Sequence, residues 1–129
     1  GRLVKAIDEE RLLIGRTMGL TLERDPSIGI RQGYMAEDSY DIGFSKAPGF
    51  KGIKAQPQLD YRYYNEDAGY GLVFMTNVAD KLGVEVPAMK ALLKIVSIIM
   101  DRDYKAEQAR TLGTLGLAKY SVDELLSIV

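Results

Sequence analysis

The run from Pro87 to Asp101 constrains the fold more than any other part of the sequence. Its only polar residues are Lys90, Lys94, Ser97 and Asp101, at spacings of 4, 3 and 4. These spacings place the four side chains in one narrow stripe along a helix whose other faces are apolar. Pro87 favours the first turn, where its missing N–H costs nothing. We therefore predict a helix from Pro87 to Asp101, nearly buried at the centre of a helix bundle.

Other segments also show the spacing or the end signals of helices. Apolar residues recur at helical intervals from about Leu3 to Thr17, with Gly19 as a C-cap, and from Ala68 to Leu82, with Gly83 as the end. Along the first helix we expect the charged residues to face water, namely Asp8, Glu9, Glu10, Arg11 and Arg16. Asp103 predicts an N-cap for a helix from Tyr104 to about Leu112. A capping box, Ser121 to Glu124, predicts a last helix from Val122 to Ile128.

Residues 20–57 are irregular. Asp25-Pro26-Ser27 predicts a turn and then a short helix within residues 27–38, while repeated glycines and prolines prevent a longer element. An irregular segment of this length inside a domain is more often a functional lid or lining loop than filler. Strand alternation of useful length is missing from the sequence. The fold class predicted for residues 1–129 is therefore all-α, a single compact multi-helix bundle with a long irregular loop.

Composition narrows the chemistry. The chain has no histidine and no cysteine, and its net charge is −1. Disulfides, thiolate sites and His- or Cys-based zinc sites are thereby excluded, and no group titrates near neutral pH unless its pKa is shifted. The charge gives no general reason to bind nucleic acid or anionic membranes. We expect a cytoplasmic protein without a bound metal. Because the chain opens Gly-Arg-Leu-Val-Lys without an initiator methionine, we also expect it to be a piece of a longer protein.

The segment from Asp60 to Val73 is the best candidate for a functional site. It places Arg62, Glu66, Asp67 and several tyrosines next to a predicted helix start. A guanidinium beside carboxylates is suited to gripping a small charged substrate. Each residue also has a purely structural interpretation. Arg62 and Glu66 form an obvious surface ion pair, Asp67 stands where an N-cap belongs, and the tyrosines suit packing.

Three blocks in this chain carry a family resemblance. Residues 62–73 read Arg-Tyr-Tyr-Asn-Glu-Asp-Ala-Gly-Tyr-Gly-Leu-Val, residues 82–87 read Leu-Gly-Val-Glu-Val-Pro, and residues 101–104 read Asp-Arg-Asp-Tyr. Their order and spacing resemble the helical C-terminal domain of the NAD/NADP octopine/nopaline dehydrogenases, the opine dehydrogenases. The chain departs from the family pattern at Ala68-Gly69, where the family usually has Val-Pro. That departure affects the rim of the predicted pocket and leaves the two charged positions, Arg62 and Asp67, in place.

The resemblance implies a fold like the helical C-terminal domain of dehydrogenases with 6-phosphogluconate-dehydrogenase-like architecture. It also implies a Rossmann domain upstream that binds NAD or NADP, and substrates that are an α-amino acid and an α-keto acid. Asp67 and Arg62 would be catalytic, with Asp67 orienting an upstream histidine. Arg62, Tyr70 and Glu66 would bind substrate. Gly69-Tyr-Gly71 lacks the third glycine and the preceding strand of a dinucleotide-binding loop, so no cofactor-binding residue is expected in this chain.

Two alternatives remain open from the sequence. The first is a helical assembly module, in which the apolar helix and the tyrosines serve dimerisation and the charged segment is only a cap. The second is the helical domain of another Rossmann-linked dehydrogenase, of the ketopantoate reductase or 3-hydroxyacyl-CoA dehydrogenase type. A homodimer is compatible with every one of these interpretations. The sequence does not identify the amino acid, the keto acid or the preferred nicotinamide cofactor.

Overall fold

The computed structural model describes residues 1–107 and 110–128, and within them the regular structure is helical, with no strand. The prediction of an all-α fold is confirmed. A 3₁₀ turn covers Pro48–Phe50, and a π-helix, Tyr64–Leu72, runs directly into α4. The α-helices are α1 (Arg2–Thr17), α2 (Asp25–Arg31), α3 (Ile42–Ser45), α4 (Val73–Leu82), α5 (Pro87–Ile99), α6 (Tyr104–Glu107) and α7 (Val122–Ile128).

The core lies where α1, the π-helix, α4 and α5 pack against one another. From α5 it takes Met89, Leu93 and Val96, which lie on one face because they are four and three residues apart. α6 closes one end of this core with Tyr104, whose side chain is almost completely buried. The remaining core residues are Ile14, Ala68, Leu72, Val73, Ala79 and Val86.

The prediction that α5 is nearly buried is wrong. Ile95, Ile98 and Ile99 remain 53%, 67% and 48% exposed. α5 packs on α1, the π-helix and α4 through its Met89 face, and no described element covers the opposite side. The helix also ends at Ile99, two residues earlier than predicted. Asp101 has φ +50°, a left-handed conformation that cannot continue the helix.

The prediction that the charged residues of α1 face water is wrong for Asp8, which is only 4% exposed. The irregular segment after α1 folds back over this position, so that the backbone of Asp25 and the hydroxyl of Tyr40 both reach the carboxylate. Glu10 is half-buried and bonds the first turn of α5. Sequence spacing places these residues on the polar side of α1, but long-range contacts cover part of that side.

The helix predicted from Ala68 begins earlier, since residues 62–63 are already helical before the π-helix. Gly69 lies inside the π-helix against Tyr104. A Cβ at position 69 would come 3.2 Å from Cδ1 of that ring. The glycine therefore permits a close helix–ring contact and does not mark a break in the helix.

The predicted helix ends are mostly confirmed. Gly19 and Gly83 both have left-handed φ values, +71° and +68°. At the start of α7, the N–H of Ser121 donates to Glu124 Oε2 (2.7 Å), and the N–H of Glu124 donates to Ser121 Oγ (3.2 Å).

Other predicted bounds need correction. The short helix predicted within residues 27–38 is α2, which begins at Asp25 and ends at Arg31. The helix predicted to reach Leu112 is described only as Tyr104–Glu107; residues 108–109 lie outside the described part, and residues 110–112 are not helical. Among residues 1–107 and 110–128, every helix falls short of the length and apolarity that a bilayer crossing requires.

Candidate substrate-binding site

The four predicted site residues are all exposed. Arg62 lies just before the π-helix, and Glu66, Asp67 and Tyr70 lie within it. The opposite side of the π-helix is buried through Ala68, Gly69 and Leu72. A π-helix packs more residues into each turn than an α-helix, and such segments occur frequently at functional sites. The charged side chains are thus presented outward from an element that is anchored in the core.

Arg62 forms the ion pair with Glu66 that the sequence predicts. Its Nη2 donates to Glu66 Oε2 at 3.2 Å, and both side chains are more than half exposed. The guanidinium also lies 5.8 Å from the centre of the Tyr63 ring. A guanidinium has five N–H donors, and the contact with Glu66 uses one of them. The remaining donors allow Arg62 to receive a carboxylate while Glu66 keeps it oriented.

The structure places Asp67 within the helix. The interpretation of Asp67 as an N-cap is therefore wrong, because helical conformation already begins at Arg62 and a cap must precede the first turn. Partial desolvation and then the neighbouring charge of Glu66 raise the pKa of the Asp67 carboxyl above its ordinary value, and Arg62 opposes this shift. The carboxylate of Asp67 is thus not used for capping, and its pKa responds to the charges of both Glu66 and Arg62.

Tyr70 is 44% exposed, one turn beyond Glu66. The guanidinium of Arg110 lies 5.3 Å from the centre of its ring. The guanidinium of Arg110 over the ring face restrains the Tyr70 ring, and this contact does not use the Tyr70 hydroxyl. Arg110 is a residue that the sequence analysis did not identify, since nothing in the local pattern links it to the π-helix.

A polar network centred on Asn65 holds the start of the π-helix against α6. Asn65 Oδ1 accepts hydrogen bonds from Arg102 Nη1 (2.6 Å) and from the Tyr104 hydroxyl (2.8 Å), while its Nδ2 donates to Asp60 Oδ1 (2.9 Å). Arg102 is itself held by Glu107 through contacts of 3.0 Å and 2.6 Å. The prediction that Asp103 is the N-cap of the helix beginning at Tyr104 is confirmed, since Asp103 Oδ1 accepts from the N–H of Ala106 (3.0 Å).

Asn65 was not predicted as a site residue. The sequence did carry one signal for it. Asn65 lies in the family-like block of residues 62–73, and its partners Arg102 and Tyr104 lie in the family-like block of residues 101–104. Spacing alone could not join the blocks, because 37 and 39 residues separate the partners.

A cavity of about 630 Å³ lies beside this network, between α5 and α6. Arg102 connects it to Asn65, so the cavity and the candidate site share one supporting residue. Its polar lining includes Lys94, Asp101 and Lys105, while Arg62 and Asp67 are not among its lining residues.

Gly69-Tyr-Gly71 does not form a dinucleotide-binding loop. The only Gly-x-Gly in the candidate segment, Gly69-Tyr-Gly71, is helical, and Gly69 faces the ring of Tyr104. Its geometry therefore provides no turn whose N–H groups could surround a pyrophosphate. Within the same residues there is no cluster of three or more His, Cys, Asp or Glu side chains able to hold a metal ion.

Comparisons with known proteins agree with this architecture. Protein ocs of Agrobacterium tumefaciens (strain Ach5) is 32% identical over 115 residues, covering 88% of this chain and 32% of its own length. An opine dehydrogenase of Arthrobacter sp. (strain 1C) is 29% identical over 132 residues, covering 100% of this chain and 36% of its own length. A vitopine synthase of Allorhizobium ampelinum is 26% identical over 114 residues.

This chain therefore spans about a third of the length of these relatives. The family model described as NAD/NADP octopine/nopaline dehydrogenase, alpha-helical domain, matches residues 1–100, which is most of the chain. The chain belongs to the NAD/NADP octopine/nopaline dehydrogenase family and contains that family's alpha-helical domain.

Proposed function

We propose that this chain is the substrate-binding helical domain of an opine-type dehydrogenase. Such an enzyme condenses an α-amino acid with an α-keto acid to an imine, which is reduced by hydride transfer from NADH or NADPH. The observation that carries the proposal is the family match over residues 1–100, which includes the charged start of the π-helix. Arg62 and Asp67 are both exposed there, and their charges influence each other.

Arg62 would bind a substrate carboxylate, since both substrates carry one. A guanidinium presents paired N–H donors that match the two oxygens of a carboxylate. Glu66 would position Arg62, because its 3.2 Å contact restrains the guanidinium without consuming its other donors. Tyr70 would add a hydroxyl beside the same surface.

Asp67 would orient a histidine supplied by another domain, because this chain contains none. A carboxylate that accepts the imidazole N–H fixes the tautomer and stabilises the imidazolium that forms when the other nitrogen takes a proton. The pKa of Asp67 is raised in this domain by desolvation and by Glu66. A nearby imidazolium would oppose that shift and keep the carboxylate ionised.

The cofactor would be held by a Rossmann domain elsewhere in the complete enzyme. When bound, the nicotinamide supplies or accepts the hydride, while the groups of this chain bind and orient the substrate. The reaction would take place in a cleft between the two domains, with Arg62 and Asp67 on the side that this chain forms.

The test uses the complete enzyme and the substitution Asp67→Asn. We expect the fold to be retained and kcat to fall by roughly 10²–10⁴, because the amide can no longer accept the imidazole N–H as a carboxylate does. Arg62→Lys should instead raise KM more than it lowers kcat, since a lysine cannot bind a carboxylate through two parallel N–H groups. Steady-state kinetics with both substrates varied measures the two effects.

Asp123→Asn in α7 is the matched control, since it removes an exposed carboxylate distant in sequence from the site. Near-normal turnover by Asp67→Asn would remove Asp67 from the catalytic group. Turnover of ketopantoate or a 3-hydroxyacyl-CoA, with none of an amino acid plus a keto acid, would move the enzyme to another class of Rossmann-linked dehydrogenase.

A further inference from the structure

The proposed reaction involves two carboxylates, and the proposed function gives a partner to only one of them. The imine formed from an α-amino acid and an α-keto acid carries one carboxylate from each substrate, and so does the secondary amine that its reduction gives. Arg62 can bind one carboxylate through its paired N–H donors. Arg110 lies over the ring of Tyr70 on the same side of the π-helix and is a second cation available to the other carboxylate.

Arg62, Glu66 and Tyr70 form a row along one side of the helix. They are four residues apart, and the 3.2 Å contact between Arg62 and Glu66 shows that this spacing brings side chains together here. A π-helix, with its i→i+5 hydrogen bonds, needs roughly four residues for each turn, so Tyr70 continues the row one turn beyond Glu66. Arg62 therefore lies at one end of the row, and Arg110 lies at the other end over the Tyr70 ring.

The length of this row suits a small dicarboxylate. At the rise of an α-helix, the eight residues from Arg62 to Tyr70 span about 12 Å, and the wider π-helix is shorter. The carboxylates of the imine are joined only through the two α-carbons and the nitrogen. Arginine side chains are long, so the guanidinium groups at the two ends of the row can converge on one small molecule between them.

The backbone that carries Arg110 is anchored next to the π-helix. Thr111 and Leu112, which follow it directly, are both buried at 6% exposure. The N–H of Leu112 donates to Asn77 Oδ1 on α4 (2.8 Å), and the N–H of Thr111 donates to Thr114 Oγ1 (2.8 Å). Because α4 continues the π-helix without a break, Arg110 and Tyr70 are held by one helical unit.

The N–H groups of Arg110 are open to a ligand. The side chain is exposed, and it forms no ion pair with any residue in the described part of the chain. A guanidinium that stacks on a ring uses its flat face, which leaves the N–H donors at its edge free for a carboxylate. We propose that Arg110 is a second substrate-binding residue, which binds one carboxylate of the imine while Arg62 binds the other. This inference rests on the proposed function and adds a residue to its site.

The test uses the complete enzyme and two small ligands that share a carbon–nitrogen skeleton. Iminodiacetate has two carboxylates joined as in the reduced product, whereas N-methylglycine has one. The unmodified enzyme should bind iminodiacetate at least about tenfold more tightly, since the second carboxylate gains charge-assisted hydrogen bonds. Arg110→Gln should remove this preference and leave the affinity for N-methylglycine within about twofold, because Arg62 still binds its single carboxylate. Isothermal titration calorimetry with saturating cofactor measures both affinities.

Two further variants control the interpretation. Arg110→Lys keeps a cation over the Tyr70 ring but lacks the paired donors, so it should retain only part of the preference for iminodiacetate. Lys119→Gln removes a similar contact elsewhere, since Lys119 Nζ lies 5.1 Å from the centre of the Tyr120 ring, and it should leave both affinities unchanged. Circular dichroism of every variant checks that helix content is retained.

The proposal is overturned if the unmodified enzyme does not prefer iminodiacetate, or if Arg110→Gln keeps the preference. It is equally overturned if Arg110→Gln weakens the binding of both ligands by the same factor, since Arg110 would then only hold the Tyr70 ring. Failure of the proposed function gives a different result, namely no turnover of an amino acid with a keto acid, or near-normal turnover by Asp67→Asn. The calorimetric affinities do not require turnover, so they decide the role of Arg110 in either case.

Discussion

At the scale of single residues, Asp8 is the most consequential polar group outside the candidate site. Its carboxylate accepts hydrogen bonds from the Tyr40 hydroxyl (2.6 Å), the N–H of Asp25 (3.0 Å) and Arg11 Nε (2.8 Å). Burial acts to raise the pKa of Asp8, but these three partners together outweigh it and lower the pKa below its ordinary value of 3.8. Asp8 thereby joins α1 to the start of α2 and to the irregular segment.

Replacing this carboxylate tests its contribution. Asp8→Asn should lower the free energy of unfolding by about 2–3 kcal/mol at neutral pH, because the amide turns two N–H donors toward groups that are themselves donors. The pKa is lower in the folded state, so the stabilisation by Asp8 is fully present above about pH 4 and is lost as the pH falls through the folded-state pKa. Urea unfolding at several pH values should show the difference between the two proteins narrowing in acid.

Asp41→Asn is the control for this measurement. The Asp41 side chain is 74% exposed, and its one ion pair among the described residues is with the N-terminal amine at 3.5 Å. Its replacement should therefore change stability by less than about 0.5 kcal/mol. Equal losses in the two variants, or a loss at Asp8 that does not vary with pH, would contradict this account of the carboxylate.

At the scale of elements, α5 is capped by a residue of α1. Glu10 Oε1 accepts from the N–H of Ala88 (2.7 Å), and Glu10 Oε2 accepts from the N–H of Met89 (2.8 Å). These are unpaired donors of the first turn, which helices usually satisfy with a local cap. Val86, which precedes α5, has no side-chain oxygen to do so. One carboxylate therefore caps α5 and also fixes its position against α1.

Truncating this cap should weaken the packing of two helices. We expect Glu10→Ala to lower the free energy of unfolding by about 1–2 kcal/mol, since two partly buried N–H groups lose their acceptors. Glu9→Ala is the adjacent control, because Glu9 is exposed and, within residues 1–107 and 110–128, its one ion pair is with Lys5 at 3.7 Å. Its effect should stay within about 0.5 kcal/mol. Chemical denaturation that finds the two variants equally stable would show that the contacts of Glu10 do not support α5.

At the scale of the whole molecule, the domain carries groups that can bind and orient but lacks a histidine and a described cofactor loop. We therefore expect the purified 129-residue chain, mixed with NADH or NADPH, an amino acid and a keto acid, to show no oxidation of the cofactor. The loss of nicotinamide absorbance measures this, with the complete enzyme as the positive control. Oxidation of NADH or NADPH by the isolated chain, at a rate comparable to that of the complete enzyme, would contradict the proposal that a second domain supplies the cofactor site and the histidine.

Local sequence patterns were sufficient to predict several elements. The helices α1 and α5, the end of α4 at Gly83 and the capping box of α7 were recognised because their signals lie within a few residues of each other. The charged start of the π-helix was recognised in the same way, together with the Arg62–Glu66 pair. The π-helix itself was not predicted, because the pattern from Ala68 to Leu82 indicates only an ordinary helix, and the contact of Gly69 with the ring of Tyr104 joins residues that are distant in the chain.

The sequence by itself determined the all-α class, the helical periodicity of the main elements and the residues of the candidate site, because these depend on spacing and short-range chemistry. Only the tertiary structure decided that Asp8 is buried, that Glu10 caps a helix 78 residues away, that Asn65 bonds Tyr104, and that one face of α5 stays exposed. The physical reason is the same in each case. Burial and hydrogen bonding are satisfied by partners distant in the chain, and the periodicity of one element does not state which neighbours will cover it.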